Sequence, residues 1–252
     1  MNNFFGGLTL LLMSLFAFSC DNAVATETPA TATVTTQSAK APRGVVENVL
    51  TKAEQDALTP DMVIQSFKEG NVRFQRNDLT ARDHSEQVRA STYAQFPKAI
   101  VLSCVDSRVP VEDVFDRGIG DIFVARVAGN FVNEDILGSM EFACKVSGSK
   151  LVLVMGHEHC GAVKAAVDDV KIGNITPMLE KIKPAVAQVE YDGDRSSKND
   201  AFVHMACESN VRNTIARIRK NSPILQEMEA NDEIKIIGAV YDMDDGSVDF
   251  MN

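Results

Sequence analysis

The sequence is short of positive charge. Its 25 Lys and Arg stand against 35 Asp and Glu, which leaves a formal charge of −10 at pH 7. A surface that binds nucleic acid needs an excess of Lys and Arg around the phosphates. We therefore expect no nucleic-acid partner. Hydrophobic residues make up 45% and charged residues 24% of the chain, which is ordinary for a folded soluble protein.

The sequence also lacks an apolar run of the roughly 20 residues that a membrane-spanning helix needs. The uncharged stretch from Phe4 to Phe18 has 15 residues, a length that suits the apolar region of a secretory signal. It runs into Ala17-Phe18-Ser19-Cys20, which resembles the lipobox of bacterial lipoproteins, although Phe18 is bulky and no Lys or Arg precedes it. We expect residues 1–20 to be a signal peptide of an exported protein, periplasmic or tethered to the membrane through a lipid on Cys20. An uncleaved anchor and cleavage at another bond remain the alternatives.

Residues 21–45 lack any sustained apolar period and are rich in Thr, Ala, Pro and Ser. Such a segment buries too little apolar surface to offset the entropy lost on ordering. It is predicted to be a flexible linker. The folded domain is then expected to span residues 46–252.

Within that domain, short apolar runs alternate with stretches of helical spacing. Runs rich in branched residues are typical of buried parallel strands. The predicted strands are 98–104, 121–126, 150–155 and 234–240, and the predicted helices are 59–74, 133–146 and 203–220. A turn at 242–246 leads to a possible antiparallel edge strand at 247–250. This alternation predicts an α/β fold with a mainly parallel sheet flanked by helices.

Two of these predicted strands end in residues that bind metals. The strand 98–104 ends at Cys104, followed by Asp106 and Arg108, and the strand 150–155 leads into His157 and Cys160. If the strands are neighbours, the two thiols and the imidazole meet at the carboxyl edge of the sheet. That donor set suits Zn²⁺, and three protein ligands leave one position open, as catalytic zinc sites do. Buried structural thiols or a disulfide between them are the alternatives.

These residues carry a resemblance to a known family. Cys104-x-Asp106-x-Arg108 followed by His157-x-x-Cys160 resembles the β-class carbonic anhydrases. The resemblance spans roughly Phe67 to Phe250 and includes further motifs in the family's order, namely Lys68-Glu-Gly-Asn-x-Arg-Phe74, Phe123-Val-Ala-Arg-Val-Ala-Gly-Asn130, Gly156-His-Glu-His-Cys-Gly161 and Gly238-Ala-Val-Tyr241. It implies the Rossmann-like fold of that class.

The resemblance also implies an activity, the reversible hydration of CO₂ to bicarbonate. One zinc ion per chain would be held by Cys104, His157 and Cys160, and hydroxide on the zinc would attack CO₂. Asp106 would accept the hydrogen bond of that hydroxide and so orient it. Arg108 would hold the Asp106 carboxylate with two parallel N–H bonds.

The substrate pocket follows from the same resemblance. Gln95, Phe123 and Phe142 fall on pocket positions of the plant-like branch, with Phe142 where a Tyr is usual, and Gly161 would supply a backbone N–H beside the metal. The chain has no tryptophan, and Val101 stands where the branch with an inhibitory bicarbonate site has Trp. We therefore expect no such site. The family further implies a homodimer or homotetramer with pocket walls shared between subunits.

Several alternatives stay open in the sequence. His159 competes with His157 as the ligand, although the His-x-x-Cys spacing favours His157 and a surface position is expected for His159. Gly156 and Gly161 are expected to let the backbone turn tightly around the ion. Cys144 and Cys207 are expected in the core. Hydrolysis of CS₂ or COS by the same metal set, or a zinc-bearing binding or sensor protein without turnover, are the competing functions.

Overall fold

The computed structural model describes residues 44–251 of the chain. The predicted signal peptide, Cys20 and all but the end of the predicted linker lie outside the described residues. Among the residues described, no helix is both long enough and apolar enough to cross a membrane.

A five-stranded sheet forms the centre of the described part of the chain. In spatial order β2-β1-β3-β4-β5, the first four strands are parallel and β5 runs antiparallel to β4. The strands are β1 Ala99–Ser103, β2 Ile122–Arg126, β3 Leu151–His157, β4 Lys235–Tyr241 and β5 Val248–Met251. The predicted α/β class, the parallel sheet and the antiparallel edge strand are therefore confirmed.

Burial differs sharply between the strands. Every residue of β1 and β3 is buried, because both strands lie inside the sheet and carry apolar side chains on both faces. The prediction that β2 is buried in the same way is wrong. Its residues are half-buried and Arg126 at its end is exposed, because β2 is an edge strand whose outer side has no neighbour in the described chain.

Helices cover both faces of the sheet. They are α1 Lys52–Asp56, α2 Pro60–Gln75, α3 His84–Ala90, α4 Val111–Val114, α5 Glu134–Glu141, α6 Gly161–Val167, α7 Ile175–Leu179, α8 Lys183–Gln188, α9 Asp200–Asn221 and α10 Pro223–Ala230. The predicted helices 59–74 and 203–220 are confirmed as α2 and α9. The predicted helix 133–146 is α5 continued by a π-helical turn, Phe142–Val146.

The apolar core of the described residues has three clusters, of which one surrounds Cys104 and Cys160 with residues of α6, α7, α8 and α9. The other two pack against the sheet. One contains residues of β1, β3 and β4 with the π-helical turn, α9 and α10, and the other packs the sheet against α2 and α4. The long helix α9 lies very close to β3 and β4. A Cβ at Gly156 would come within 2.8 Å of Val211 Cγ2, and one at Gly238 within 2.6 Å of Val211 Cγ1. These glycines bring α9 against the end of the sheet where the predicted ligands lie.

Candidate metal centre

The three predicted ligands come from the ends of neighbouring strands. Cys104 follows β1, His157 is the last residue of β3 and Cys160 precedes α6, and β1 pairs with β3 in parallel. The metal-binding atoms of the three side chains lie within 4.8 Å of one another. The two Sγ atoms are 4.0 Å apart, and each ligand residue is at most 4% exposed. The carboxyl edge of the sheet thus gathers two thiols and one imidazole into a buried cluster.

The imidazole of His157 is oriented toward this cluster. Its Nδ1 lies 2.8 Å from the backbone oxygen of Glu158, which can only accept a hydrogen bond. Nδ1 therefore carries the proton, and Nε2 presents a lone pair. That Nε2 is buried and has no hydrogen-bond partner among the described residues. A buried polar atom left without a partner is costly, and a metal ion bound there would provide one.

The ionisation of the two thiols also favours binding of a cation. The hydrogen bond from the Cys160 thiol lowers the pKa of Cys104, and the backbone N–H of Gly129, 3.3 Å from Sγ, acts in the same direction. The same pairing raises the pKa of Cys160. The pair of thiols thus loses its first proton more easily than its second. A divalent cation would replace that second proton and hold both as thiolates, so the residues present fit zinc.

Asp106 and Arg108 form the predicted pair beside this cluster. Arg108 Nε lies 3.0 Å from Asp106 Oδ1 and Arg108 Nη2 lies 2.8 Å from Oδ2, so the contact is bidentate. These bonds lower the pKa of Asp106 to about 2 and keep it ionised. Its Oδ2 is 3.8 Å from His157 Nε2. A carboxylate oxygen therefore stands next to the open face of the three ligands.

Arg126, at the end of β2, supports the loop that carries Cys104 and Asp106. It donates to the backbone oxygen of Cys104 at 2.8 Å and to that of Val109 at 2.7 Å. In the sequence, Arg126 is visible only as part of the Phe123–Asn130 motif, and no role was predicted for it. Its position could have predicted this role, because Arg126 ends a strand parallel to β1 and so lies at the same edge of the sheet as the loop that carries Cys104.

The predicted pocket residues divide into two groups. Gly161 follows Cys160 directly and begins α6. In contrast, Phe123 pairs with Ile100, four residues before Cys104, or about 13 Å along the strand. Phe123 and Phe142 pack edge to face at 6.3 Å along a groove of about 790 Å³, and Phe142 shares a second cavity of about 550 Å³ with Gln95. Neither cavity is lined by Cys104, His157 or Cys160.

The glycines of the ligand loop have a different role from the predicted one. Gly156 is required by the close packing of Val211, and a Cβ at Gly161 would meet no atom within 4 Å. The expectation that both glycines permit a tight turn around the ion is therefore wrong. The strained residue is His159, with a φ of 50°. His159 lies partly exposed, 3.4 Å from Asp200, and is not part of the cluster with Cys104 and Cys160.

The other cysteines behave as predicted. Cys144 and Cys207 are buried, and all four cysteines among residues 44–251 are free thiols. His204 of α9 lies with its Nδ1 3.1 Å from Glu158 Oε1.

Comparison with solved structures defines the fold class. The chain is similar to a β-carbonic anhydrase of Coccomyxa, with a TM-score of 0.59 and 22% identity over 75% of this chain and 84% of that one. It is also similar to a β-carbonic anhydrase of Sordaria macrospora that is described as tetrameric, with a TM-score of 0.56, 22% identity and coverage of 64% and 83%. The fold is that of the β-class carbonic anhydrases.

Comparison of sequences gives the family. Residues 99–248 match the family model for carbonic anhydrase. "Carbonic anhydrase 2" of Mycobacterium tuberculosis is 35% identical over 188 residues, which cover 72% of this chain and 88% of the relative. A carbonic anhydrase of Mycolicibacterium smegmatis is 34% identical over 73% of this chain and 90% of its own length. The chain belongs to the carbonic anhydrase family and is an enzyme of that family.

Proposed function

We propose that this chain catalyses the reversible hydration of CO₂ to bicarbonate and a proton, with one zinc ion bound by Cys104, His157 and Cys160. The observation that carries the proposal is the buried His157 Nε2, which has no partner among the described residues and lies within 4.8 Å of two buried thiols. Zinc in such a site lowers the pKa of a bound water to about 7 and so supplies a nucleophile at neutral pH.

The protein's own groups then orient the reaction. Asp106, held ionised by Arg108, accepts a hydrogen bond from the nucleophile and so directs its free lone pair toward the carbon of CO₂. An ionised carboxylate can only accept, so the orientation has one sense. Because Arg108 occupies both oxygens of Asp106, the carboxylate is held in place beside the ligands. The N–H of Gly161, which follows Cys160 directly, is proposed to donate to an oxygen of the bicarbonate formed.

The experiment measures zinc per chain in protein purified without chelator, and then CO₂ hydration by stopped flow with a pH indicator. We expect about one zinc per chain, as for a single three-ligand site, and rapid hydration. Bound zinc without hydration at pH 7 and pH 8.5 would contradict the proposed substrate and leave CS₂, COS or a silent binding protein. Absence of zinc would contradict the proposed metal.

We further propose that the enzyme is a homodimer or homotetramer whose substrate pocket is completed by a second copy. Phe123 lies on the edge strand β2, and Gln95, Phe123 and Phe142 line two open cavities that include none of the three predicted ligands. Apolar side chains on this side are unusually exposed, with Tyr93 at 99% and Phe142 at 52%. Such a patch is typical of an interface. The tetrameric state of the Sordaria macrospora relative agrees with this arrangement.

The cellular location remains a proposal that rests on residues 1–20. We propose export through a signal peptide and attachment to a membrane by a lipid on Cys20. Replacing Cys20 by Ser should release the protein from the membrane fraction without changing its activity. A Cys20→Ser protein that still sediments with membranes would contradict the lipid anchor.

A further inference from the structure

One face of α9 carries a row of polar side chains that runs from the partly exposed His204 into the core. His204, Cys207, Asn210 and Thr214 follow one another at intervals of three or four residues, which places them on the same side of the helix. Asn210 and Thr214 are 0% exposed. Burying an amide or hydroxyl costs free energy unless it forms hydrogen bonds, so the partners of this row indicate its purpose.

Asn210 reaches the surroundings of Cys104. Its Nδ2 donates to the backbone oxygen of Gly129 at 2.7 Å, and the N–H of Gly129 donates to Cys104 Sγ at 3.3 Å. The Gly129 oxygen can only accept, which determines that the amide nitrogen faces it. Gly129 has a φ of +80°, and a Cβ there would lie 2.4 Å from Ile182 Cδ1. Asn210 therefore holds a tightly packed turn whose N–H points at a ligand sulfur.

Cys207 and His204 reach the surroundings of the other two ligands. Cys207 is buried in the same apolar cluster as Cys160 and Cys104. His204 Nδ1 lies 3.1 Å from Glu158 Oε1, and the backbone oxygen of the same Glu158 accepts the proton of His157 Nδ1. Two of the ligands, Cys104 and His157, thus have hydrogen-bonded surroundings that lead back to α9.

We propose that α9 is the positioning element of the metal centre, with Asn210 acting on Cys104 through the backbone of Gly129 and His204 acting on His157 through Glu158. The inference rests on the proposed zinc site. Both side chains act through other residues, so they are positioning residues. Partners of this kind orient metal ligands, and their loss typically lowers metal affinity by about 10- to 100-fold.

The test uses three variants of the full chain. Asn210→Leu keeps the approximate volume and removes the donor to Gly129. His204→Phe keeps a ring and removes the bond to Glu158. Ser209→Ala is the matched control, because Ser209 lies on the same helix but donates to Ala185 of α8 at 2.8 Å. Zinc affinity is measured by competition with a chromogenic chelator. The visible absorption of the Co²⁺-substituted protein reports the ligand geometry.

We expect Asn210→Leu to lower zinc affinity by about 10- to 100-fold and to shift the Co²⁺ bands. His204→Phe should show a smaller change in the same direction, and Ser209→Ala none. An Asn210→Leu protein with the affinity and spectrum of the unaltered chain would overturn the inference. If that variant does not fold, the partly exposed His204 decides, and a His204→Phe protein indistinguishable from Ser209→Ala overturns it.

These outcomes separate the inference from the proposed function. If the unaltered chain binds no zinc, the proposed zinc site itself is wrong. If it binds zinc but hydrates no CO₂, the substrate is wrong, whereas the positioning role of α9 is still decided by affinity and spectrum.

Discussion

The metal cluster and the predicted substrate pocket differ in how much of each a single chain provides. At the carboxyl ends of β1 and β3, Cys104, His157 and Cys160 are buried, oriented and supported on all sides. Along β2, by contrast, Phe142 and its neighbours are exposed and face an open groove. The three ligands meet within one chain, whereas in the proposed oligomer a second subunit completes the pocket wall. The predictions below test this division, beginning with the largest expected effect.

Cys160→Ser should abolish zinc binding and CO₂ hydration at the metal cluster. Serine leaves a buried hydroxyl in place of a thiolate ligand, so we expect zinc to be lost. Hydration should fall by more than about a thousandfold, because a catalytic metal supplies several kcal/mol of transition-state stabilisation. Metal analysis and stopped-flow hydration measure both effects. Cys144→Ser, which changes a buried thiol outside the cluster, is the control and should keep its zinc.

Asp106→Asn should lower the rate of CO₂ hydration without removing the zinc from the same cluster. The amide keeps the shape of the carboxylate but has lost the charge that orients the nucleophile. We expect zinc content to stay the same and kcat to fall by about 10² to 10³, the usual effect of removing one preorganised electrostatic contact. Unchanged hydration would show that the Asp106–Arg108 pair is only structural.

Asp116→Asn should weaken the segment that leads toward Gln95, without touching the ligands. Burial opposes the ionisation of Asp116, but hydrogen bonds from Arg73, Thr80 and Arg82 outweigh it and lower the pKa to about 2. Its folded pKa is thus below the unfolded value of about 3.9, so the stabilisation is present above pH 4 and lost as pH falls toward 2. We expect a loss of roughly 2 kcal/mol in the free energy of unfolding at pH 7.

Urea denaturation of zinc-free protein checks this prediction, because acid would otherwise release the metal and confuse the comparison. The difference between Asp116→Asn and the unaltered chain should be full at pH 7 and should narrow steadily below pH 4. A difference that is the same at pH 7 and pH 2.5 would mean that the Asp116 charge is not its source.

Gln95→Leu should have the smallest effect on activity. It tests whether the metal cluster and the Gln95 side of the pocket come from different chains. Losing one hydrogen bond to substrate should lower kcat/KM by about tenfold and leave zinc in place. Co-expression of Gln95→Leu chains with Asp106→Asn chains sharpens the test. If the pocket is shared, a mixed dimer regains one site with both residues intact, and the mixture is more active than either variant alone. No recovery in demonstrated mixed dimers would place Gln95 in the site of its own chain.

Much of the fold could be predicted, because local sequence patterns indicate most of the strands and the two long helices. Continuous apolar runs located β1, β3 and β4 to within one or two residues, and the caps at Thr59 and Asn199 mark the starts of α2 and α9. The short helices between Gly161 and Gln188 were missed, since each is only five to seven residues long and has too few turns to show a period. The predicted burial of β2 was wrong because an apolar run does not show whether a strand has a neighbouring strand on one side or on both.

The donor types of the candidate site also follow from the sequence by itself. Two thiols, an imidazole and an Asp–Arg pair directly after buried strands define the chemistry, because parallel strands bring their carboxyl ends to one edge. Only the tertiary structure decided which groups support them. Arg126, Asn210 and His204 lie between 22 and 106 residues along the chain from Cys104, and no local period connects them to it. Their contacts exist because α9 and β2 pack beside β1 and β3, which is a consequence of burying the whole sheet at once.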